Sequence, residues 1–135
     1  MDVFSGSCLC GQVRFEAMGA PDRVGICHCF TCRKFTGSPF AMFAIYPRDA
    51  VRVSGNASEH ATSAEGRRYR CKDCGAPVYE SDRDNSEIEI PIGAFDQADL
   101  FKPTYEIWTT RRESWMPRIK SVSASHPQDR PTDMS

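Results

Sequence analysis

The segment Cys27-His28-Cys29-Phe30-Thr31-Cys32 places three thiols within six residues, spaced C-x-C-x-x-C. Three is one short of a closed tetrahedral zinc site and one more than a disulfide needs. On an extended backbone, residues 27 and 29 point to the same side. Residues 29 and 32 come together on a single helical turn. A strand end running into a turn would therefore gather the three sulfurs around one point. Three protein ligands, with the fourth position kept for water or substrate, is the arrangement of catalytic zinc sites. A soft thiolate is a natural fourth ligand there, and a thiol bound to zinc loses its proton. The implied chemistry is the making or breaking of a carbon–sulfur bond at a thiohemiacetal, between an activated thiol and a carbonyl compound. Cys27, Cys29 and Cys32 are thus candidate catalytic residues and metal ligands. Arg33 and Lys34 follow directly and would offset the surplus negative charge of three thiolates. His28 points away from the sulfurs on the same extended backbone and reads as a packing or hydrogen-bonded histidine, with a fourth ligand as the alternative. A Cys29–Cys32 redox pair and a second, purely structural metal are the competing readings of the cluster. No βαβ pattern surrounds it to favour the redox pair.

The other four of the seven cysteines fall in two matching pairs, "CLCG" (8–11) and "CKDCG" (71–75). In both, a glycine follows the second cysteine and lets the chain turn sharply at positive φ. The turned backbone can then aim N–H groups at sulfur and stabilise thiolate. Strand patterns follow both pairs. Cys8, Cys10, Cys71 and Cys74 are therefore the expected ligands of a Cys₄ zinc site. Their separation in sequence means that the metal would staple the N-terminal strand to the middle of the chain and contribute to stability. Buried or unpaired thiols are the alternative. An odd number of cysteines rules out complete internal pairing. The N-terminus shows no signal-peptide pattern, so the expected compartment is the reducing cytoplasm, where clustered cysteines more often bind metal than form disulfides.

The elements that must position these groups read as mostly β. "QVRFEA" (12–17) alternates, with Val13, Phe15 and Ala17 on one face. "FAMFAIY" (40–46) suits a buried strand. "AVRVSGN" (50–56) alternates and then meets Gly55-Asn56, a turn signal. "SEIEIPIG" (86–93) aligns Ile88, Ile90 and Ile92, with Pro91 marking an edge or a strand end. "YEIW" (105–108) is a further short strand. Helical pattern is thin: "FTCRKF" (30–35) and "FDQADLF" (95–101) could each make a turn. The 135 residues fit one domain with a core of its own, expected over 1–120. From Ser121 the composition turns polar with two prolines, and 121–135 is expected to be a disordered or loosely attached tail. The net charge of −1 gives no global pull toward nucleic acid or anionic membrane. No apolar run approaches the length of a membrane span. "GRRYRCK" (66–72) is basic but too short to specify a nucleic-acid surface.

The order "CLCGQVRF", "CHCFTCRKFTGSPF", "YRCKDCGAPVY" resembles the glutathione-dependent formaldehyde-activating enzyme family, which includes centromere protein V-like proteins. The resemblance covers roughly residues 5 to 115. It implies a mainly β domain of packed antiparallel sheets around a structural zinc, a β-tent-like fold. It implies two Zn²⁺ ions: a structural one on Cys8, Cys10, Cys71 and Cys74, and a catalytic one on Cys27, Cys29 and Cys32. The activity it implies is that of a carbon–sulfur lyase joining glutathione, as cosubstrate, to formaldehyde to give S-hydroxymethylglutathione. Arg33, Lys34, Arg67 and Arg68 are then candidates to receive the carboxylates of a glutathione-like molecule, with solvated surface as the alternative. "TRRESW" (110–115) is similar to the family's closing segment, with Trp115 matching its tryptophan. Glu106 stands where family members often carry a histidine. The expected partners are a small thiol and a carbonyl compound, with no nucleic acid and no membrane; homo-oligomer formation is left open. The contrasting expectation is a non-catalytic interaction module in which both zincs are structural.

Overall fold

The computed structural model describes residues 1–82 and 84–131. In chain order the elements are β1 (Val3–Ser7), β2 (Arg14–Met18), β3 (Arg23–Cys27), α1 (Phe30–Thr36), β4 (Ala41–Pro47), β5 (Val51–Ser54), β6 (Ala57–Ala61), β7 (Gly66–Cys71), β8 (Pro77–Asp82), β9 (Glu87–Pro91), β10 (Tyr105–Ile107) and β11 (Ala124–Ser125). The chain divides into two compact units. One holds Met1–Asp22 and Phe43–Leu100, and the other holds Arg23–Met42 and Phe101–Ser135.

In the first unit, β1, β2 and β5 form a three-stranded antiparallel sheet in the order β1-β2-β5. The alternation read from the sequence appears directly: Phe15 and Ala17 are buried while Arg14, Glu16 and Met18 face out. The strands β9, β8, β7 and β6 continue antiparallel, each beside the next, and Phe43–Pro47 of β4 pairs with β9. Ile88 and Ile90 are fully buried. Pro91 closes β9, as its missing N–H requires. Phe15 meets Phe95 edge-to-face with ring centroids 5.1 Å apart, a favoured aromatic geometry. Residues 95–101 do not form the turn of helix expected of them; a 3-10 turn, Ile92–Ala94, lies just before.

In the second unit β10 lies between β3 and β11, and both pairings are parallel. The expected mainly β fold of antiparallel sheets is present, and these two parallel pairings add to it. A parallel neighbour needs a long connection, and here residues 28–104 separate β3 from β10. A three-residue strand such as Tyr105–Ile107 carries too little pattern to announce its partner. The tail also departs from expectation. Val122 is buried, Ser121 Oγ donates to Pro103 O at 2.7 Å, and Ala124–Ser125 pairs with β10. Residues 121–131 therefore belong to the second unit rather than forming a loose appendage; 132–135 lie outside the described residues. The physical reason is that one apolar side chain and a short ladder of hydrogen bonds to distant residues suffice to dock a polar segment, and averaged composition misses both. Among the described residues no helix is long and apolar enough to cross a membrane.

Candidate functional site

The first unit brings Cys8, Cys10, Cys71 and Cys74 together, with all four sulfurs within 4.8 Å of one another. Two hairpin-like turns present them, and the turns repeat one hydrogen-bond scheme. Cys8 N–H donates to Val13 O at 2.9 Å, and Gly11 N–H to Cys8 O at 3.2 Å. Cys71 N–H donates to Ala76 O at 3.0 Å, and Gly75 N–H to Cys71 O at 3.0 Å. Gly11 and Gly75 take φ of 83° and 76°, the left-handed turn expected of them. The turned backbone aims N–H groups at sulfur: Val13 at Cys8 Sγ (3.3 Å), Asp73 at Cys71 Sγ (3.3 Å) and Cys74 at Cys71 Sγ (3.5 Å).

Gln12 ties the two turns together, a role that nothing in its local sequence announced. Its amide donates to Cys71 Sγ at 3.4 Å and to Asp73 Oδ2 at 3.0 Å, and its Oε1 accepts from Asn56 N–H at 2.6 Å. Cys8 and Cys10 ionise unequally. Burial works against ionisation of Cys8, yet the Val13 N–H and the thiols of Cys71, Cys10 and Cys74 outweigh it and draw Cys8 down to about 6. At Cys10 the Gln12 N–H favours thiolate, but desolvation and the three neighbouring thiols push it up to about 12. Crowded sulfurs cannot all hold negative charge without a cation among them. Four thiol donors in a tetrahedral-sized cluster fit a soft divalent metal.

The second unit brings Cys27, Cys29 and Cys32 together, again within 4.8 Å. Cys27 ends β3. Cys29 has φ −63° and ψ 155° and caps α1, its Sγ accepting from Cys32 N–H at 3.3 Å. Cys32 sits in the first turn of the helix. The strand-into-turn geometry read from the spacing is thus the geometry observed. Cys27 and Cys32 are buried, whereas Cys29 is half-buried. The bond with Cys29 pushes the Cys27 thiol up to about 12; burial adds to this, and Cys32 opposes it. Three thiol donors fit a soft metal with one position left for another ligand. Phe30, exposed beside Cys29, carries the Arg111 guanidinium 4.5 Å from its ring centroid.

His28 faces away from the sulfurs, as its place between Cys27 and Cys29 required. It is fully buried, with Nε2 2.9 Å from Glu106 Oε1. Desolvation lowers its pKa, against the opposing pull of Glu106. Glu106 is 3% exposed and accepts from Arg112 Nε at 3.0 Å, from Arg112 Nη2 at 2.6 Å and from Ser125 Oγ at 3.1 Å. Burial alone would raise its carboxyl, but bonds from Arg112, His28 and Ser125 hold it below the ordinary value. Glu106 stood out in the sequence; its partners Arg112 and Ser125 did not, since they come from segments with no shared motif.

The four basic candidates sit in different settings. Arg33 is held by Pro39 O at 3.2 Å and Glu113 Oε1 at 2.9 Å, and Lys34 is exposed on α1. In the first unit, Arg67 donates to Ser63 O and Gly66 O and lies 3.8 Å from Glu59. Arg68 is 8% exposed and ion-paired to Glu80 at 3.1 Å, with Thr62 as a further partner. The basic run 66–72 is thus largely engaged within the protein.

Mainly β units carry one four-thiol and one three-thiol cluster, each of which could hold a metal ion. Residues 3–111 match the family described as glutathione-dependent formaldehyde-activating enzyme, and the chain belongs to that family. An uncharacterized lyase of Schizosaccharomyces pombe is 33% identical over 79 residues, 58% of each chain. A Penicillium rubens protein provisionally named as a glutathione-dependent formaldehyde-activating enzyme is 37% identical over 89 residues, 56% of this chain and 46% of that one. The matched stretches therefore span about half the length of these curated relatives. A Halomonas elongata protein with the same provisional name is 28% identical over 112 residues, 75% of this chain and 70% of its own. A crystal structure of a Rhodobacter sphaeroides protein shares the fold with a TM-score of 0.58 at 20% identity, covering 71% of this chain and 91% of that one.

Proposed function

We propose that the chain is a zinc-dependent carbon–sulfur lyase acting on a thiol–carbonyl adduct, with S-hydroxymethylglutathione, formed from glutathione and formaldehyde, as the leading substrate. The observation that carries this reading is the donor count. Cys27, Cys29 and Cys32 cluster as three thiols, not four, and Cys29 is half-buried rather than sealed. The family membership and the lyase name of the S. pombe relative support the same direction.

Cys27, Cys29 and Cys32 would hold the catalytic zinc, and Cys8, Cys10, Cys71 and Cys74 the structural one. Zinc held by these three thiols would supply Lewis acidity that lowers the pKa of a substrate thiol. The protein's own part is to fix the three sulfurs: β3 and the first turn of α1 set their spacing, and Cys29 braces Cys32 through the cap. In the forward direction the substrate thiol gives up its proton to solvent. Its sulfur lone pair then forms a bond to the carbonyl carbon. The π pair moves to oxygen, which takes up a proton. Cleavage is the reverse. Arg33 and Lys34, on α1, would receive the carboxylates of a glutathione-like molecule, and Lys34 is the more accessible of the two. Arg67 and Arg68 are further candidates, each already beside a protein carboxylate.

Exchange spectroscopy with ¹³C-formaldehyde and glutathione tests the reading. The protein should speed exchange between free formaldehyde and S-hydroxymethylglutathione, and Cys29→Ser should abolish the acceleration. Exchange at the uncatalysed rate with fully zinc-loaded protein would rule out this substrate pair.

A further inference from the structure

His28 is anchored to β10 at two points. Its backbone N–H donates to Ile107 O at 3.1 Å, and its ring meets Glu106 at 2.9 Å. In the parallel register Cys27 lies opposite Ile107, and Ile26 opposite Glu106. Side chains alternate along an extended segment. A buried ring held by Glu106 on one side therefore constrains where Cys27 and Cys29 place their sulfurs on the other. Glu106 is itself held. Arg112 contacts it through two nitrogens, and Ser125 Oγ takes its second oxygen. Its backbone carbonyl accepts from His126 N–H at 2.9 Å. The C-terminal segment continues the grip, with Ser123 N–H on Thr104 O at 3.0 Å and Trp108 N–H on Gln128 O at 3.0 Å. Trp108 follows β10 directly at φ 58°, a conformation that a bulky residue keeps only when its surroundings enforce it.

We propose that Glu106 is a positioning residue for the three-cysteine site, holding His28 and through it the Cys27–Cys29 segment, and that the C-terminal segment 121–128 in turn holds Glu106. A carboxylate at 3% exposure needs partners to compensate its lost hydration, and every partner seen here fixes its direction toward His28. Groups that orient metal ligands from behind commonly control metal affinity. The inference rests on the reading that Cys27, Cys29 and Cys32 hold a metal; it does not depend on the identity of the thiol or the carbonyl.

The test is competition of zinc alone against a chromophoric chelator, using full-length wild type, Glu106→Ala, Glu106→Gln and Ser125→Ala, with thermal melting of each protein alongside. Wild type should bind two zinc ions. Glu106→Ala should weaken the second by about ten- to a hundredfold, leaving the tighter ion on the four-cysteine site unchanged. Glu106→Gln, which keeps a hydrogen-bonding oxygen toward His28, should recover part of the loss. Ser125→Ala should weaken the second ion by a smaller factor in the same direction. If Glu106→Ala fails to fold, the Gln and Ser125 variants decide the matter. Unchanged second-ion affinity in those variants, even with lowered melting temperatures, would reduce Glu106 to a structural residue and overturn the proposal. A wild type that binds only one ion would overturn it as well. Full zinc binding with the predicted losses, but no thiol binding, would leave the positioning role standing and count against the lyase reading alone.

Discussion

Tyr105 lies across Gly25. The two are register partners in the parallel pairing of β10 with β3, and a β-carbon built on Gly25 would clash with the hydroxyl end of the phenol ring. The glycine is therefore needed for close approach, and the ring covers the backbone that a side chain would otherwise protect. The same pairing brings Ile107 beside Cys27 and Glu106 beside Ile26.

Gly25→Ala should destabilise the protein by about 1–3 kcal/mol through overpacking. Tyr105→Ala, in the Gly25→Ala background, should return part of that loss, because the clashing ring is gone. Urea unfolding midpoints of the two single variants and the double variant measure the coupling. Strictly additive effects would contradict the contact.

The two cysteine clusters should differ in what their loss does. Cys71 is fully buried among donors from both chain segments of the first unit. Cys71→Ser should unfold or severely destabilise the chain, since folding-coupled structural zinc contributes about 10 kcal/mol or more. Cys29→Ser should leave a folded protein with one zinc. Metal counting and circular dichroism on both variants check this; equal collapse would erase the distinction between the sites.

Much of this was legible in the sequence because it rests on short-range geometry. The Cys-x-Cys-Gly and Cys-x-x-Cys-Gly turns, the turning of His28 away from the sulfurs and the strand-to-helix placement of Cys27, Cys29 and Cys32 each follow from side-chain alternation or a glycine turn within a few residues. Alternation also located β2, β5 and β9. What escaped depends on distant partners. Gln12 bridges to Asn56, Cys71 and Asp73; Arg112 and Ser125 converge on Glu106; the parallel β3–β10 pairing crosses most of the chain. The tail shows the same limit, since Val122 is one apolar residue in a polar stretch.

Val122→Ala should therefore cost about 2 kcal/mol, from the lost burial of two methyl-sized groups and the space they leave. A truly loose tail would show no change. Chemical denaturation of the full-length variant separates the two outcomes.

Glu106 should also leave a signature in pH. Its folded pKa lies below the ordinary value of 4.5. A group with a depressed folded pKa contributes stability that is present above its unfolded value and is lost as pH falls through the folded one. The stability gap between wild type and Glu106→Gln should thus be largest near neutral pH and shrink below about pH 4.5. A gap that stays constant from pH 7 down to pH 4 would show that the carboxylate charge contributes nothing.

The three-cysteine site should take a substrate thiol through sulfur. Isothermal titration of the zinc-loaded protein with glutathione and with S-methylglutathione, in two buffers of different ionisation enthalpy, tests it most directly. Glutathione should bind with release of about one proton, because the ligand must be deprotonated, and should bind more tightly as pH rises toward the free thiol's pKa of about 8.5. S-Methylglutathione, whose sulfur cannot become a thiolate, should bind much more weakly. Equal affinities for the two compounds with no proton released would contradict thiol activation at this site.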